Sequence, residues 1–354
     1  MTAPSGVNDS SVASVLSSPL MEAVRFSNKG LDKFMNMFKL SGALALLIMA
    51  GCLVYAQSTT AANENGIIIE RSAYSFISYD EAVKVTDVEI YADKVAYDQA
   101  VGDGNFEFQK LKYLSDGLKV TAYLYKPKRI DGQKLPTIIF NRGSAVRGDI
   151  APELISFFHR LGSAGFLVLA PMLRQSDRGE GRDELGGADV DDLINILPVA
   201  KSLGFADMNN LFMYGESRGG MMTYMAIKRK FPIKAAAVIG AFTDLQQLAD
   251  AHPKDYSPSF FTKLWPDYET RKSELFEARS AIRWVDELNV PLLIMHGGAD
   301  WSVNPQHSLN LAQQLQKLGR VYELIVYAED GHILARNQLD RDQRATGWFK
   351  RFIK

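Results

Sequence analysis

From residue 106 onwards the chain alternates between two hydrophobic periods. Residues 106–114 and 118–126 are rich in β-formers and are joined through Ser115, Asp116 and Gly117. That junction is a hairpin signature, because glycine adopts positive φ without a steric cost. Uninterrupted apolar runs then recur at residues 137–140, 166–170, 211–214, 236–239, 291–295 and 322–327. Short runs of this kind suit strands buried on both faces, as in a parallel sheet covered by helices. Between them the apolar residues take a helical spacing. Leu154, Ile155, Phe157, Phe158 and Leu161 mark one face of a helix over residues 152–161. The same period covers residues 221–230, 306–318 and 341–353, and residues 189–203, where Pro198 predicts a kink. Strands alternating with helices predict an α/β fold, with a mostly parallel central sheet, right-handed crossovers and helices on both faces. Residues 242–283 break the alternation, hold Trp265 and Tyr268, and read as a helical insertion over one sheet edge. Residues 58–104 carry little pattern and read as a short accessory segment.

The first 57 residues have another character. Leu40 to Ala56 form a run of 17 uncharged residues, preceded by Lys29, Lys33 and Lys39. A positive flank before a short apolar run reads as a secretory signal, with Val54, Tyr55 and Ala56 offering a cleavage site. The run is near the lower limit of a membrane span, about 20 residues, so a retained anchor is the second reading. Met49-Ala50-Gly51-Cys52 also resembles the lipoprotein box, in which the cysteine is acylated. A start codon set too far upstream, with Met35 or Met37 as the true start, accounts for the long leader. The expected location is therefore periplasmic or extracellular, with attachment to the membrane through residues 40–56 or through Cys52 as the variant.

Composition narrows the chemistry. The 354 residues carry 40 Lys+Arg against 41 Asp+Glu, a net charge of -1. A nucleic-acid binder needs surplus positive charge to displace counterions from phosphates, so no such partner is expected. The single cysteine, Cys52, excludes a disulfide framework and any multi-cysteine metal site. None of the 5 histidines falls in an HxxxH or HExxH spacing, so neither a metal nor another cofactor is expected.

The apolar run 211–214 leads directly into Gly215-Glu216-Ser217-Arg218-Gly219-Gly220, and a helical pattern follows. A nucleophile at a strand-to-helix corner needs glycine two residues to either side, where side chains would collide with the turn and the neighbouring strand. Such a corner lifts the Ser217 hydroxyl clear of the sheet and sets backbone N–H groups at a helix N-terminus, where they favour negative charge. By itself the string also fits a glycine-rich turn with a surface serine, so its partners decide. Serine needs a base within hydrogen-bond reach, oriented in turn by an acid. Both are expected after the serine, in loops at the carboxyl ends of later strands. The run ending at Met295 is followed by a loop with Asp300, and the run ending at Tyr327 by a loop with His332. His159 reads as a packed helix residue, His252 belongs to the insertion, His307 starts a helix at the surface, and His296 shapes its loop through a hydrogen bond. Glu329 and Asp330 read as solvated. The oxyanion donors are expected from the backbone N–H of Arg218 and from the loop after residues 137–140, through the Asn141 side chain or the Arg142 backbone.

These segments together resemble the catalytic domain of the prolyl oligopeptidase family of serine peptidases. The likeness is carried by the Asp116-Gly117 hairpin, Asn141-Arg142-Gly143, the stretch from Gly186 to Asp192, Gly215–Gly220, His296 to Asp300, and Asp330-Gly331-His332. It covers residues 106–354 and implies an α/β-hydrolase fold with Ser217, Asp300 and His332 as nucleophile, acid and base. Two features depart from the family. Asn141 stands where His or Tyr is common, and the roughly 50 residues between leader and hydrolase are too few for the β-propeller of many members, since each blade takes four strands. The expected function is a serine hydrolase acting through an acyl-enzyme on peptides, with small-ester hydrolysis or acyl transfer as the alternative. A non-catalytic envelope binding protein is the third reading. Arg142, Arg174 and Arg218 raise the further question of an anionic acyl group.

Overall fold

The computed structural model describes residues 64–144 and 146–354; the apolar run 40–56 and Cys52 lie outside the described residues. No helix among the described residues is long and apolar enough to cross a membrane.

The hairpin forms as its sequence dictates. Strands β2 (Phe106–Ser115) and β3 (Leu118–Pro127) pair antiparallel in unbroken register, with Ser115 opposite Leu118. Asp116 and Gly117 both take positive φ, 52° and 78°, the turn whose twist matches the flanking strands. Ahead of them β1 (Ile68–Ala73) adds an edge strand to β2. Its residues are almost all exposed, and so it lacks the apolar run by which a buried strand is recognised. Three short helices follow it: α1 (Tyr79–Ala82), α2 (Val88–Tyr91) and α3 (Lys94–Gly102).

The remaining strands are β4 (Leu135–Asn141), β5 (Leu167–Pro171), β6 (Ala206–Glu216), β7 (Ala235–Ile239), β8 (Leu292–Gly297) and β9 (Tyr322–Tyr327). They complete a sheet of order β1-β2-β3-β5-β4-β6-β7-β8-β9. β4 to β9 are mutually parallel, and β3 joins them antiparallel through β5. Along β6 the side chains alternate between two cores. Leu211 and Met213 face one side; Phe212 and Tyr214 face the other. Both faces are covered, which is why these strands read as continuous apolar runs.

Helices α4 (Ala151–Ser163) and α12 (Gln338–Lys350) cover the face where Phe140, Phe157, Tyr214 and Phe349 pack. The other face is covered by α5 (Asp189–Ile194), α6 (Ile196–Ser202), α7 (Arg218–Lys228) and α11 (Gln306–Lys317). The single helix expected over residues 189–203 is thus two, parted at Asn195. Pro198 has no N–H to offer the Ile194 carbonyl, so the break falls one turn before it. Residues 242–283 are helical, as α8 (Leu245–Ala251), α9 (Pro258–Leu264) and α10 (Tyr268–Ala278). Trp265 and Tyr268 stack on Phe261 there, Phe276 meets it edge-on, and all four join the α5–α7 core.

A buried ion pair fastens the hairpin to this framework. Asp192 of α5 accepts from Arg174 Nε at 3.0 Å and Nη2 at 2.8 Å, from the Arg174 N–H at 2.7 Å, and from Ser115 Oγ at 2.6 Å. Removing one partner leaves a buried charge uncompensated. Asp192→Ala is expected to lower unfolding free energy by about 3–5 kcal/mol, read from urea melts. A loss under about 1 kcal/mol, as for a surface pair, would contradict this assignment.

Candidate active site

The corner at Ser217 is forced by packing. β6 ends at Glu216 and α7 starts at Arg218, leaving Ser217 one residue in which to reverse the chain. It does so at φ 53° and ψ −119°, a conformation costly for any residue with a side chain. Helix α7 can start so close only because of its glycines. A Cβ on Gly219 would overlap the Asn141 carbonyl oxygen, and one on Gly215 would overlap that of Gly219. The strained turn is held by Ser217 N–H to Ile239 O at 2.8 Å and Gly220 N–H to Ser217 O at 2.9 Å.

Asp300 and His332 come together from the loops after β8 and β9. His332 Nδ1 lies 2.8 Å from Asp300 Oδ2. The other oxygen, Oδ1, accepts from the N–H groups of Ser302 and Val303, each at 2.9 Å. His296 Nε2 faces two acceptors, Asp300 Oδ2 at 3.1 Å and Val303 O at 2.9 Å, and therefore carries a proton; its Nδ1 contacts Ser308 Oγ at 2.6 Å. Burial works to raise the Asp300 carboxyl, but hydrogen bonds from His296 and His332 and the charge of the His332 imidazole hold it well below the usual carboxylate range.

Residue 240, next to Ile239, backs the His332 ring. A Cβ on Gly240 would stand 3.0 Å from His332 Nδ1. Ser217 thus bonds to Ile239, and the following residue abuts His332. Among the described residues no hydrogen bond joins Ser217 to His332; such contacts often tighten only when substrate binds. Beneath both, the buried Arg341 reaches the Ile333 carbonyl oxygen at 2.6 Å and Glu216 Oε1 at 3.5 Å. It therefore touches the residue after the histidine and the residue before the serine.

The competing groups are occupied elsewhere. His159 binds Asp103 at 3.0 Å and stands edge-on to Phe106. His252 caps the C-terminal end of α8. His307 is buried rather than at the surface; its Nδ1 accepts from the Thr243 N–H at 3.3 Å, and burial pushes its imidazole down to about 4. Asp330 is likewise buried, not solvated. It accepts from Gly331, Arg336 and Asn337 N–H groups and so shapes the His332 loop.

β4 ends at Asn141, and Arg142 opens the loop after it. Asn141 Nδ2 donates to Thr223 Oγ1 at 2.8 Å and contacts Met213 Sδ at 3.7 Å, so its amide is spent inside the fold. The Arg142 side chain donates to the carbonyls of Met172, Gly143 and Ser144 and to Ser176. Its backbone stays with the loop beside Gly143, where a Cβ would stand 3.3 Å from Ser217 Cβ. Arg218, as the first residue of α7, has a backbone N–H without an intrahelical acceptor. Its guanidinium is buried against Asp183 and Asp189. Sequence reasoning missed these two acids: Asp189 lies within a recognised motif, whereas Asp183 is an isolated loop acid with no local signal.

A serine at a strained strand–helix corner, before an Asp–His pair on the same sheet edge, defines a serine hydrolase of the α/β-hydrolase class. Residues 157–354 match the model of the prolyl oligopeptidase family, and the chain belongs to that family. The uncharacterized peptidase YtmA of Bacillus subtilis is 25% identical over 240 residues, covering 67% of this chain and 91% of its own length. Inactive dipeptidyl peptidase 10 of Mus musculus is 27% identical over 151 residues, 42% of this chain and 18% of that protein. A puromycin-hydrolyzing peptidase of Mycobacterium tuberculosis superposes with a TM-score of 0.57 at 25% identity, over 67% of this chain and 37% of that one. Pyrococcus horikoshii acylaminoacyl peptidase shares the fold, with a TM-score of 0.57 at 20% identity over 71% of this chain. The chain spans less than half of the length of both solved structures, 37% and 42%.

The depressed Asp300 carboxyl gives a signed expectation. A carboxyl lowered by folding stabilises the protein fully above its unfolded value, near pH 4, and loses that contribution as pH falls towards the folded value. The stability gap between the protein and Asp300→Asn should persist from about pH 8 to pH 5 and shrink below about pH 4. Urea midpoints across this range measure it, and a gap that widens in acid would contradict the assignment.

Proposed function

We propose that the chain hydrolyses acyl bonds, peptide bonds first among them, through an acyl-enzyme on Ser217. The observation that carries this reading is the 2.8 Å contact between His332 and Asp300, on the sheet edge where Ser217 occupies its strained corner. Asp300 accepts from Nδ1–H and so leaves Nε2 as the basic nitrogen. Ser217 Oγ attacks the carbonyl carbon while His332 Nε2 takes its proton. The tetrahedral oxyanion is met by the backbone N–H groups of Arg218 and Arg142. His332 then protonates the leaving amine, the C–N bond breaks, and water repeats the sequence on the ester to release the acid and free Ser217.

Relatives support a peptidase over the other readings. YtmA, which this chain covers almost end to end, carries that description. An anionic acyl group finds no support: Arg218 is paired with Asp183 and Asp189, and Arg174 with Asp192 and Asp116. For location we propose export directed by residues 40–56, to be read by fractionating cells that express the full chain.

A fluorophosphonate is expected to label the protein and to fail on Ser217→Ala, with labelling of His332→Ala slowed at least about 100-fold. Turnover of peptide p-nitroanilides above that of p-nitrophenyl esters, relative to each uncatalysed rate, supports the peptidase; the reverse supports the esterase, and transfer to added alcohols the acyltransferase. The base must be neutral to accept the Ser217 proton, so a rate unchanged from about pH 8 to pH 4 would exclude His332 from that role.

A further inference from the structure

The residue after the nucleophile carries a buried guanidinium that joins three segments. Arg218 Nη1 and Nη2 grip Asp183 as a fork, at 2.6 Å to Oδ2 and 2.9 Å to Oδ1. Nη2 also bonds Asp189 Oδ2 at 2.6 Å, and Nη1 reaches the Ser144 carbonyl oxygen at 3.2 Å. Asp183 lies between β5 and α5, Asp189 opens α5, and Ser144 belongs to the loop after β4. Among the described residues, Nε alone of the three guanidinium nitrogens lacks a partner, so the fork end does the holding.

The acids are fixed in turn. Asp183 Oδ1 accepts from Leu185 N–H at 2.9 Å, and Asp189 from the N–H groups of Gly186 and Gly187. The loop between β5 and Asp183 is itself wound tightly, with Leu173, Gln175, Asp177 and Arg178 all at positive φ. Its second hold is Ser176, whose Oγ accepts from Arg142 Nη2 at 2.5 Å and from Arg147 N–H at 3.2 Å. One loop therefore grips Arg142 at Ser176 and Arg218 at Asp183, the two residues whose backbone N–H groups face the developing oxyanion in the reading above.

We propose that Asp183 is a positioning residue that acts through Arg218 to set the spacing of the two oxyanion donors. It touches no reacting atom. Arg218 links the start of α7 to the Ser144 carbonyl, and so ties the donor on the helix to the donor on the loop. Charge on the carbonyl oxygen is greatest in the transition state, so a shift of either donor costs more there than in the bound substrate. The effect falls on kcat and spares KM. The inference rests on the hydrolase reading, and its test separates the two.

The experiment uses the full chain with Asp183→Asn, Arg218→Lys and Asp192→Asn, each titrated by fluorophosphonate to count competent sites. Asp183→Asn is expected to lower kcat per site by about 10- to 100-fold, part of the loss seen when one oxyanion donor is removed. KM should change less than about twofold, and affinity for an aryl boronic acid, a tetrahedral anionic mimic, should fall in step with kcat. Arg218→Lys, which cannot fork, should show the same split if Asp183→Asn does not fold. Asp192→Asn should lose thermal stability yet keep kcat per site, because its cluster does not reach the loop after β4. Unchanged kcat per site in Asp183→Asn, or an equal fall in Asp192→Asn, would overturn the positioning role with the hydrolase reading intact. A wild-type chain that neither labels nor turns over would overturn that reading and this one together.

Discussion

The close approach of helix α7 to the end of β4 is the constraint on which the rest depends. With Gly219 packed so close to the Asn141 carbonyl, no room remains for a relaxed connection, and Ser217 takes a positive-φ conformation outside the ordinary regions. A non-glycine residue held in such a region costs about 1–3 kcal/mol. The cost is offset locally by hydrogen bonds from Ser217 N–H to β7, from Asn141 to Thr223, and from Thr223 Oγ1 to the Gly219 carbonyl. Asn141, one of two candidate oxyanion donors, takes part in this packing through Thr223. The same contact brings the loop after β4 beside the nucleophile.

Around that corner the charged residues work in buried groups. Arg218 is held by Asp183 and Asp189, Arg174 by Asp192, and Arg341 by Asp342 with Glu216 nearby. Burial pushes the Glu216 carboxyl upward, against the pull of Arg341. Buried ion pairs are poor evidence of net stability, since desolvation takes back much of the attraction. Their value here is geometric, because a guanidinium fork fixes direction as well as distance. Arg218 spans the oxyanion side of the serine, and Arg341 spans the histidine side.

The parallel strands were legible because both their faces are buried, which leaves uninterrupted apolar runs such as 291–295. Strand β1 was not legible, since an exposed edge strand has no apolar period, and α1 and α2 are too short to show one. The pairing of Asp300 with His332 could be read because the fold puts polar loops at the carboxyl ends of strands, so chain order and loop position single out these two residues. What sequence could not show was which polar groups turn inward. His307 and Asp330 read as surface residues and are buried; His307 accepts from the Thr243 N–H across 64 residues, and Asp330 from N–H groups of its own loop. Asp183 meets Arg218 across 35 residues, a pairing that only the folded chain brings together.

The most direct test of the central claim is a crystal structure of the phosphonylated protein. The account requires phosphorus on Ser217 Oγ, one phosphonyl oxygen within hydrogen-bond distance of the Arg218 and Arg142 N–H groups, and His332 still paired with Asp300. Phosphorus on another residue, or an oxygen turned away from both amides with Ser217 relaxed to negative φ, would contradict it.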